Sequence, residues 1–264
     1  MASDACTLTE GDIPLLVSFP HAGTDIPDSI ARRMTPAALM RADTDWHLPT
    51  LYAFVSQLGA STLVPNYSRY VIDLNRPPDD NNLYPGQDTT GLVPLDSFSK
   101  QALYFHGLEP DAVEIDQRRA AYWRPYHEAL EAELQRLKKV HGHALLWDAH
   151  SIASVLPRFF EGKLTDLNLG TADGQSCAPK VQSAAEAVLA AQSEFTYVSN
   201  GRFKGGYITR HYGRPAEDIH ALQLEMCQST YMSEAAPFEY RPELAAQVQP
   251  LLQRMLQAVV QART

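Results

Sequence analysis

Ile13-Pro14-Leu15-Leu16-Val17-Ser18-Phe19-Pro20-His21-Ala22-Gly23 reads as a short apolar strand, stopped by a proline, with a histidine just past its end. The same design recurs downstream. Ala144-Leu145-Leu146-Trp147 is a second buried strand followed by His150, and residues 219–226 form a third that carries Glu225 near its end. Residues 61–64 and 70–74, rich in β-branched and aromatic side chains, and residues 195–198 add further strands, with strand and loop over 164–173. Between them the apolar spacing is helical. It predicts helices over 37–58, closed by Gly59, over 111–140, over 179–191 and over 243–262. Ile115, Ala120, Tyr122, Tyr126, Leu130, Leu134 and Leu137 lie along one face of the longest of these. Strands alternating with helices imply an α/β fold with a mixed, mostly parallel central sheet flanked by helices on both faces. No repeat or linker divides the chain, so residues 1–264 are expected to form one domain.

The bulk composition is that of an ordinary globular chain, 45% hydrophobic and 20% charged, and long enough to bury a core without covalent staples. Three scattered cysteines, with no CxxC pair, fit reduced thiols in the cytoplasm better than a disulfide framework. No signal-like n-region or run of 18 apolar residues is present, which points away from export and from the membrane. A net charge of −9 argues against nucleic acid as a partner. It leaves room for a small anionic substrate, because a few buried arginines can reverse the local field.

In open α/β sheets, sites form at the carboxyl ends of strands. His21, His150 and Glu225 all fall there, and Asp45 sits in Asp43-Thr44-Asp45-Trp46 near the expected start of a helical stretch. Each has an ordinary explanation. A histidine after a strand is more often a hydrogen-bonded loop residue than a ligand, and an acid near a helix start is favoured by the helix dipole. Glu225 is harder to explain away, since a carboxylate in an apolar strand needs a partner or a cation. Spacing alone leaves a His/Asp/His metal site and a set of unrelated polar residues both open, for there is no compact HExxH-type motif. Arg69 and Arg76 bracket residues 70–75, at the two ends of that expected strand. Arg202, Lys204 and Arg210 alternate with glycines over 200–210. That second stretch reads either as a solvated basic turn or as an anion grip in which the backbone approaches a carboxylate. The 77–91 segment, dense in Pro, Asp, Asn and Gly, reads as a long functional loop.

The segments SFPHAGTDIP, DTDWH, SRYVIDLNRPPD, LYPGQDTTGL, YWRPYHEAL, LLWDAHSI, FEGKLTDLNLGT, NGRFKGGYITRHYG and HALQLEM together resemble the N-formylglutamate amidohydrolases, from about Ile13 to the final helix. The resemblance implies a zinc hydrolase of linear amides, with one ion per chain and a fold related to the zinc carboxypeptidases and acyl-amino-acid deacylases. Its implied reaction is the conversion of N-formyl-L-glutamate to formate and glutamate in histidine degradation. Carried to matching positions, it makes His21, Asp45 and His150 the ligands and Glu225 the general base. It also makes Asn75 and Arg76 the pair that serves substrate carboxylate and oxyanion, with Arg69, Arg202 and Arg210 as further substrate cations. The stretch after His21, Ala22-Gly23-Thr24-Asp25-Ile26, lacks the glutamate of the carboxypeptidase HxxE pattern. The third ligand therefore stays open between Asp45 and its neighbours Asp43 and His47. A deacylase of N-succinyl- or N-acetyl-glutamate or aspartate shares the same implied site. A non-catalytic module that grips an acidic metabolite is the reading from another class. A serine hydrolase lacks its GxSxG elbow.

Overall fold

A computed structural model describes residues 4–82, 86 and 88–262. Residues 83–85 and 87, in the 77–91 loop and the LYPGQDTTGL segment, lie outside the described residues.

Seven strands form one sheet: β1 (Cys6–Thr9), β2 (Leu15–Ser18), β3 (Ser61–Pro65), β4 (Ala144–Ile152), β5 (Leu167–Gly170), β6 (Tyr197–Ser199) and β7 (Ile219–Cys227). Their spatial order is β1-β3-β2-β4-β7-β5-β6. β3, β2, β4 and β7 run parallel, β1 and β5 join that block antiparallel, and β6 is parallel to β5. The sheet is thus mixed and mostly parallel, as its sequence pattern predicts.

Period-two alternation divides the core into two layers. Leu15, Val17, Leu145, Trp147, Ala149, Leu222, Leu224 and Met226 project to one face, where the Pro179–Ala190 and Pro242–Gln261 helices cover them. Leu16, Leu146 and Ala221 project to the other, against Tyr126, Leu130, Leu134 and Leu137 of the Arg124–His141 helix. β4 and β7 are nine residues long, buried at every position and paired over their whole length.

Four sequence expectations change. The helix predicted over 37–58 is three four-residue turns of helix, Pro36–Leu39, Leu48–Leu51 and Val55–Leu58. Arg41 and His47 take left-handed backbone (φ 50° and 62°), which no continuous helix accommodates. The strand predicted at 70–74 is a chain of turns, with Val71 N–H donating to Ser68 O and Asp73 N–H to Leu92 O. Its side chains are apolar because they pack into two clusters: Tyr70 and Val71 with Ile30 and Met34, and Ile72 and Leu74 with Tyr126 and Leu130. The long helix is interrupted by one π-helical turn, Arg119–Trp123. β1 has no counterpart in the expected elements; it is a four-residue edge strand, paired on one side only.

Trp147 is fully buried in the larger layer, three residues before His150 on the same strand. Trp147→Ala is expected to cost about 3–5 kcal/mol. Denaturant unfolding of the purified variant checks this, read as a lower midpoint at unchanged slope.

Candidate active site

The alternation that fills the core also builds the site. Asp148 and His150 of β4 and Gln223 and Glu225 of β7 share the face opposite Trp147 and Leu224. The parallel register sets Asp148 beside Gln223 and His150 beside Glu225. His150 therefore lies inside a strand that runs on to Ile152, not after one ending at Trp147. His21 leaves β2 after Pro20, and its carbonyl accepts the backbone N–H of Asp45 at 3.0 Å. That bond ties the 41–47 turn to the strand end.

The three side chains converge. His150 Nδ1 is 3.1 Å and His21 Nδ1 3.7 Å from Asp45 Oδ2. Among the described residues, His21, Asp45 and His150 form a buried group whose ligand atoms all lie within 4.8 Å of one another. Ligands about 2.0–2.2 Å from a tetrahedral ion stand roughly 3.4 Å apart, so both distances to Asp45 fit. The opposite ring nitrogens are also held: His21 Nε2 lies 2.7 Å from Asp73 Oδ1, and His150 Nε2 lies 3.3 Å from Asp148 Oδ2. For His21, the Asp73 carboxylate on the far nitrogen fixes the tautomer that aims Nδ1 at a cation. The donor set and its supports could hold a divalent metal. Asp43 and His47 are directed elsewhere. The Asp43 carboxylate accepts the Phe98 N–H, and His47 Nε2 contacts Phe238 O.

Burial pushes the Glu225 carboxyl upward, to about 8, with His150 pulling it down less strongly. Burial also opposes ionisation of Asp45, but its hydrogen bonds with His150 and His21 outweigh this and hold it below the usual carboxylate range. Burial pushes His150 down, yet Asp148 and Asp45 together hold it well above the ordinary imidazole value. A carboxyl raised beside one lowered is the division of labour that acid–base catalysis uses.

These groups sit at the bottom of a cleft enclosing about 640 Å³, mouth included, and walled by Phe98, Ile152, Phe159 and Phe203. Arg69, Asn75, Arg76 and Arg202 line it. Arg69 is buried; its Nη2 donates to Asp73 Oδ2 at 2.6 Å, and its Nη1 lies 3.2 Å from His21 Nδ1. Arg76 donates from Nε to Thr90 O, and Arg202 from Nε to Phe159 O. Arg210 is placed apart from the others: it is exposed on the Tyr207–Tyr212 helix and donates to Gly205 O. Lys204 pairs with Asp173. Asn75 Oδ1 accepts the Ile208 N–H at 2.8 Å while Nδ2 lies 2.9 Å from His150 Nε2. Gly206 leaves the space this needs, since a Cβ there would stand 2.5 Å from Asn75 Nδ2.

Sequence reading missed Asp73, Asp148 and Gln223. Asp148 and Gln223 each stand two residues before a chosen one on the same strand, so the period of two marks them. Asp73 carries no such mark, because its segment follows no regular pattern.

Residues 13–232 match the family model described as N-formylglutamate amidohydrolase. An N-formylglutamate deformylase of Pseudomonas putida is 50% identical over 251 residues, covering 95% of this chain and 94% of that protein. One from Pseudomonas aeruginosa is 48% identical over 257 residues, covering 97% and 96%. The crystal structure of an N-formylglutamate amidohydrolase from Ralstonia eutropha JMP134 superposes with a TM-score of 0.82 at 26% identity, covering 97% of each chain. A structure from Agrobacterium tumefaciens shares the fold with a TM-score of 0.70 at 18% identity, covering 96% of this chain and 94% of that one. With most of its length matched by the family model and by both curated relatives, the chain belongs to the N-formylglutamate amidohydrolase family.

Proposed function

We propose that this chain is a zinc-dependent amidohydrolase that converts N-formyl-L-glutamate to formate and L-glutamate, in the cytoplasm and as a step of histidine degradation. The observation that carries the reading is the buried His21–Asp45–His150 cluster facing Glu225 at the bottom of an arginine-lined cleft. The names of the two Pseudomonas relatives, each about half identical over nearly the whole chain, support the substrate. No helix among the described residues is long and apolar enough to cross a membrane.

His21 and His150 through Nδ1 and Asp45 through its carboxylate are the residues that would hold the ion. Zinc supplies the charge that polarises the formyl carbonyl and makes water nucleophilic near neutral pH. Glu225 takes one proton from the water as its oxygen bonds to the formyl carbon. Arg76, whose guanidinium borders the cleft, stabilises the negative charge that develops on the former carbonyl oxygen. The C–N bond then breaks, Glu225 delivers its proton to the departing nitrogen, and formate and glutamate result. Arg202 grips a substrate carboxylate at the cleft wall. Arg69 is held by Asp73 and contributes fixed positive charge beside His21. Arg210 has no part in this reading, because it lies outside the cleft lining.

Purified protein should release formate from N-formylglutamate, lose that activity to a chelator and regain it with zinc. Release of succinate or acetate from the matching N-acyl substrates at comparable rates would instead support the broader deacylase. Glu225→Gln should keep its zinc and lose about 10²–10⁴-fold in rate, whereas normal turnover would remove Glu225 as base. His150→Ala and Asp45→Ala should lower bound zinc in elemental analysis of the folded protein. Because the base must be deprotonated, the rate should rise with pH along an acidic limb. Burial, partly offset by His150, pushes Glu225 up to about 8, and an adjacent cation moves that limb lower; a rate that falls as pH rises from 5 to 8 would contradict the assignment.

A further inference from the structure

Asn75 and Arg76 face the cleft from a segment that belongs to no strand or helix, so no ladder of backbone hydrogen bonds fixes them. Their flanking carbonyls are fixed from outside. His127 Nε2 lies 2.9 Å from Leu74 O, and Trp123 Nε1 donates to Arg76 O at 3.0 Å. The two bonds grip the chain on either side of Asn75. A carbonyl can only accept, so Nε2 of His127 carries the hydrogen. Burial pushes His127 down to about 3, so the ring is neutral near pH 7, and its Nδ1 accepts the Tyr212 hydroxyl at 2.9 Å. One tautomer satisfies both nitrogens.

The two anchors also brace each other. Trp123 and His127 are one helical turn apart, with ring centroids 3.7 Å apart and planes 26° from parallel. The Tyr212 ring lies nearly parallel to His127, planes 12° apart, with its hydroxyl on Nδ1. Trp123 is the last residue of the π-helical turn Arg119–Trp123, and His127 lies in the regular Arg124–His141 helix that follows. The extra residue of a π turn resets the phase of a helix, and such turns occur where a helix serves a site. His127 is buried and makes no contact with the metal-ligand group; both its nitrogens are used by Leu74 and Tyr212.

We infer that His127 and Trp123 are positioning residues for the hydrolytic reaction, clamping the carbonyls of Leu74 and Arg76 so that Asn75 is held against His150 and Arg76 against the reacting carbonyl. The inference rests on the functional reading above for its catalytic consequence. The clamp itself is a property of the fold and is testable without substrate.

Three variants separate the possibilities: His127→Phe and Trp123→Phe keep an aromatic ring but delete one N–H donor each, and His127→Gln keeps a donor near the Nε2 position. Hydrogen–deuterium exchange of zinc-loaded protein should show faster exchange over residues 72–78 in both phenylalanine variants, with residues 144–152 unchanged, and near-normal exchange in His127→Gln. In formate release, both phenylalanine variants should lose about 10–100-fold in kcat at well below their melting temperatures, with KM within about threefold and zinc retained. His127→Gln should recover most of that loss. Unchanged exchange over 72–78 in both phenylalanine variants would overturn the clamp. So would a His127→Gln protein that behaves like His127→Phe in exchange or in kcat. Wild-type protein that releases no formate would instead overturn the functional reading, leaving the exchange result to stand or fall alone.

Discussion

The pairing of β4 with β7 is the constraint on which the rest depends. Both strands are buried along their full length, so neither can slip by one residue without turning leucine and tryptophan into the cleft and aspartate and histidine into the core. Trp147 and Leu224, packed under the Pro242–Gln261 helix, therefore specify where His150 and Glu225 point. The distance between His150 and Glu225, the proposed ligand and base, is set by strand spacing, about 4.8 Å between neighbouring chains. A hydrophobic decision on one face of the sheet thus fixes the geometry of the polar groups on the other.

Electrostatics favour a cation in a site built this way. Asp45, Asp73, Asp148 and Glu225 all lie at or near zero exposure around two imidazoles, with Arg69 buried among them. Buried carboxylates are costly unless compensated. Without an ion, compensation comes from protons, which is the sense of a raised His150 and a Glu225 pushed up to about 8. A divalent ion placed among His21, Asp45 and His150 would take over that role, neutral rings becoming ligands as their protons leave. Asp73 would then keep the far nitrogen of His21 protonated, and Glu225 would be free to exchange a proton with water.

What the sequence made legible follows from which parts obey a period. β2 is a continuous apolar run, and β4 and β7 carry apolar runs ahead of their polar positions, so His21, His150 and Glu225 stand out in the sequence even though β4 runs on past His150. The β1 edge is four residues long and half exposed, too short and too polar to stand out. Residues 37–58 and 70–74 misled for one shared reason: their side chains are apolar because they are buried, while their backbones turn. Left-handed Arg41 and His47 are invisible to a pattern of hydrophobicity, since neither is glycine or asparagine. Asp45 was marked by its chemistry, but its approach to His150 depends on that unpatterned turn and on the His21 O bond that tethers it.

Regular and irregular parts of the site consequently answer different demands. The strands supply His150 and Glu225, whose separation must not vary, and they do so through a ladder that is stiff because both neighbours are buried. The turns supply His21, Asp45, Arg69, Asn75 and Arg76, which must approach from directions no strand of this sheet can offer. A turn lacks a ladder, so each of these residues needs its own tether. His21 O holds Asp45, Asp73 holds both His21 and Arg69, and His127 and Trp123 hold the carbonyls around Asn75. Asp73 shows why the tethers are shared: one carboxylate accepts from Arg69, from the Asn75 N–H and from the His21 ring, so three cleft-lining residues move only together. The geometry of the cleft is therefore set as much by residues outside its lining, Asp73, Trp123 and His127 among them, as by those that form it.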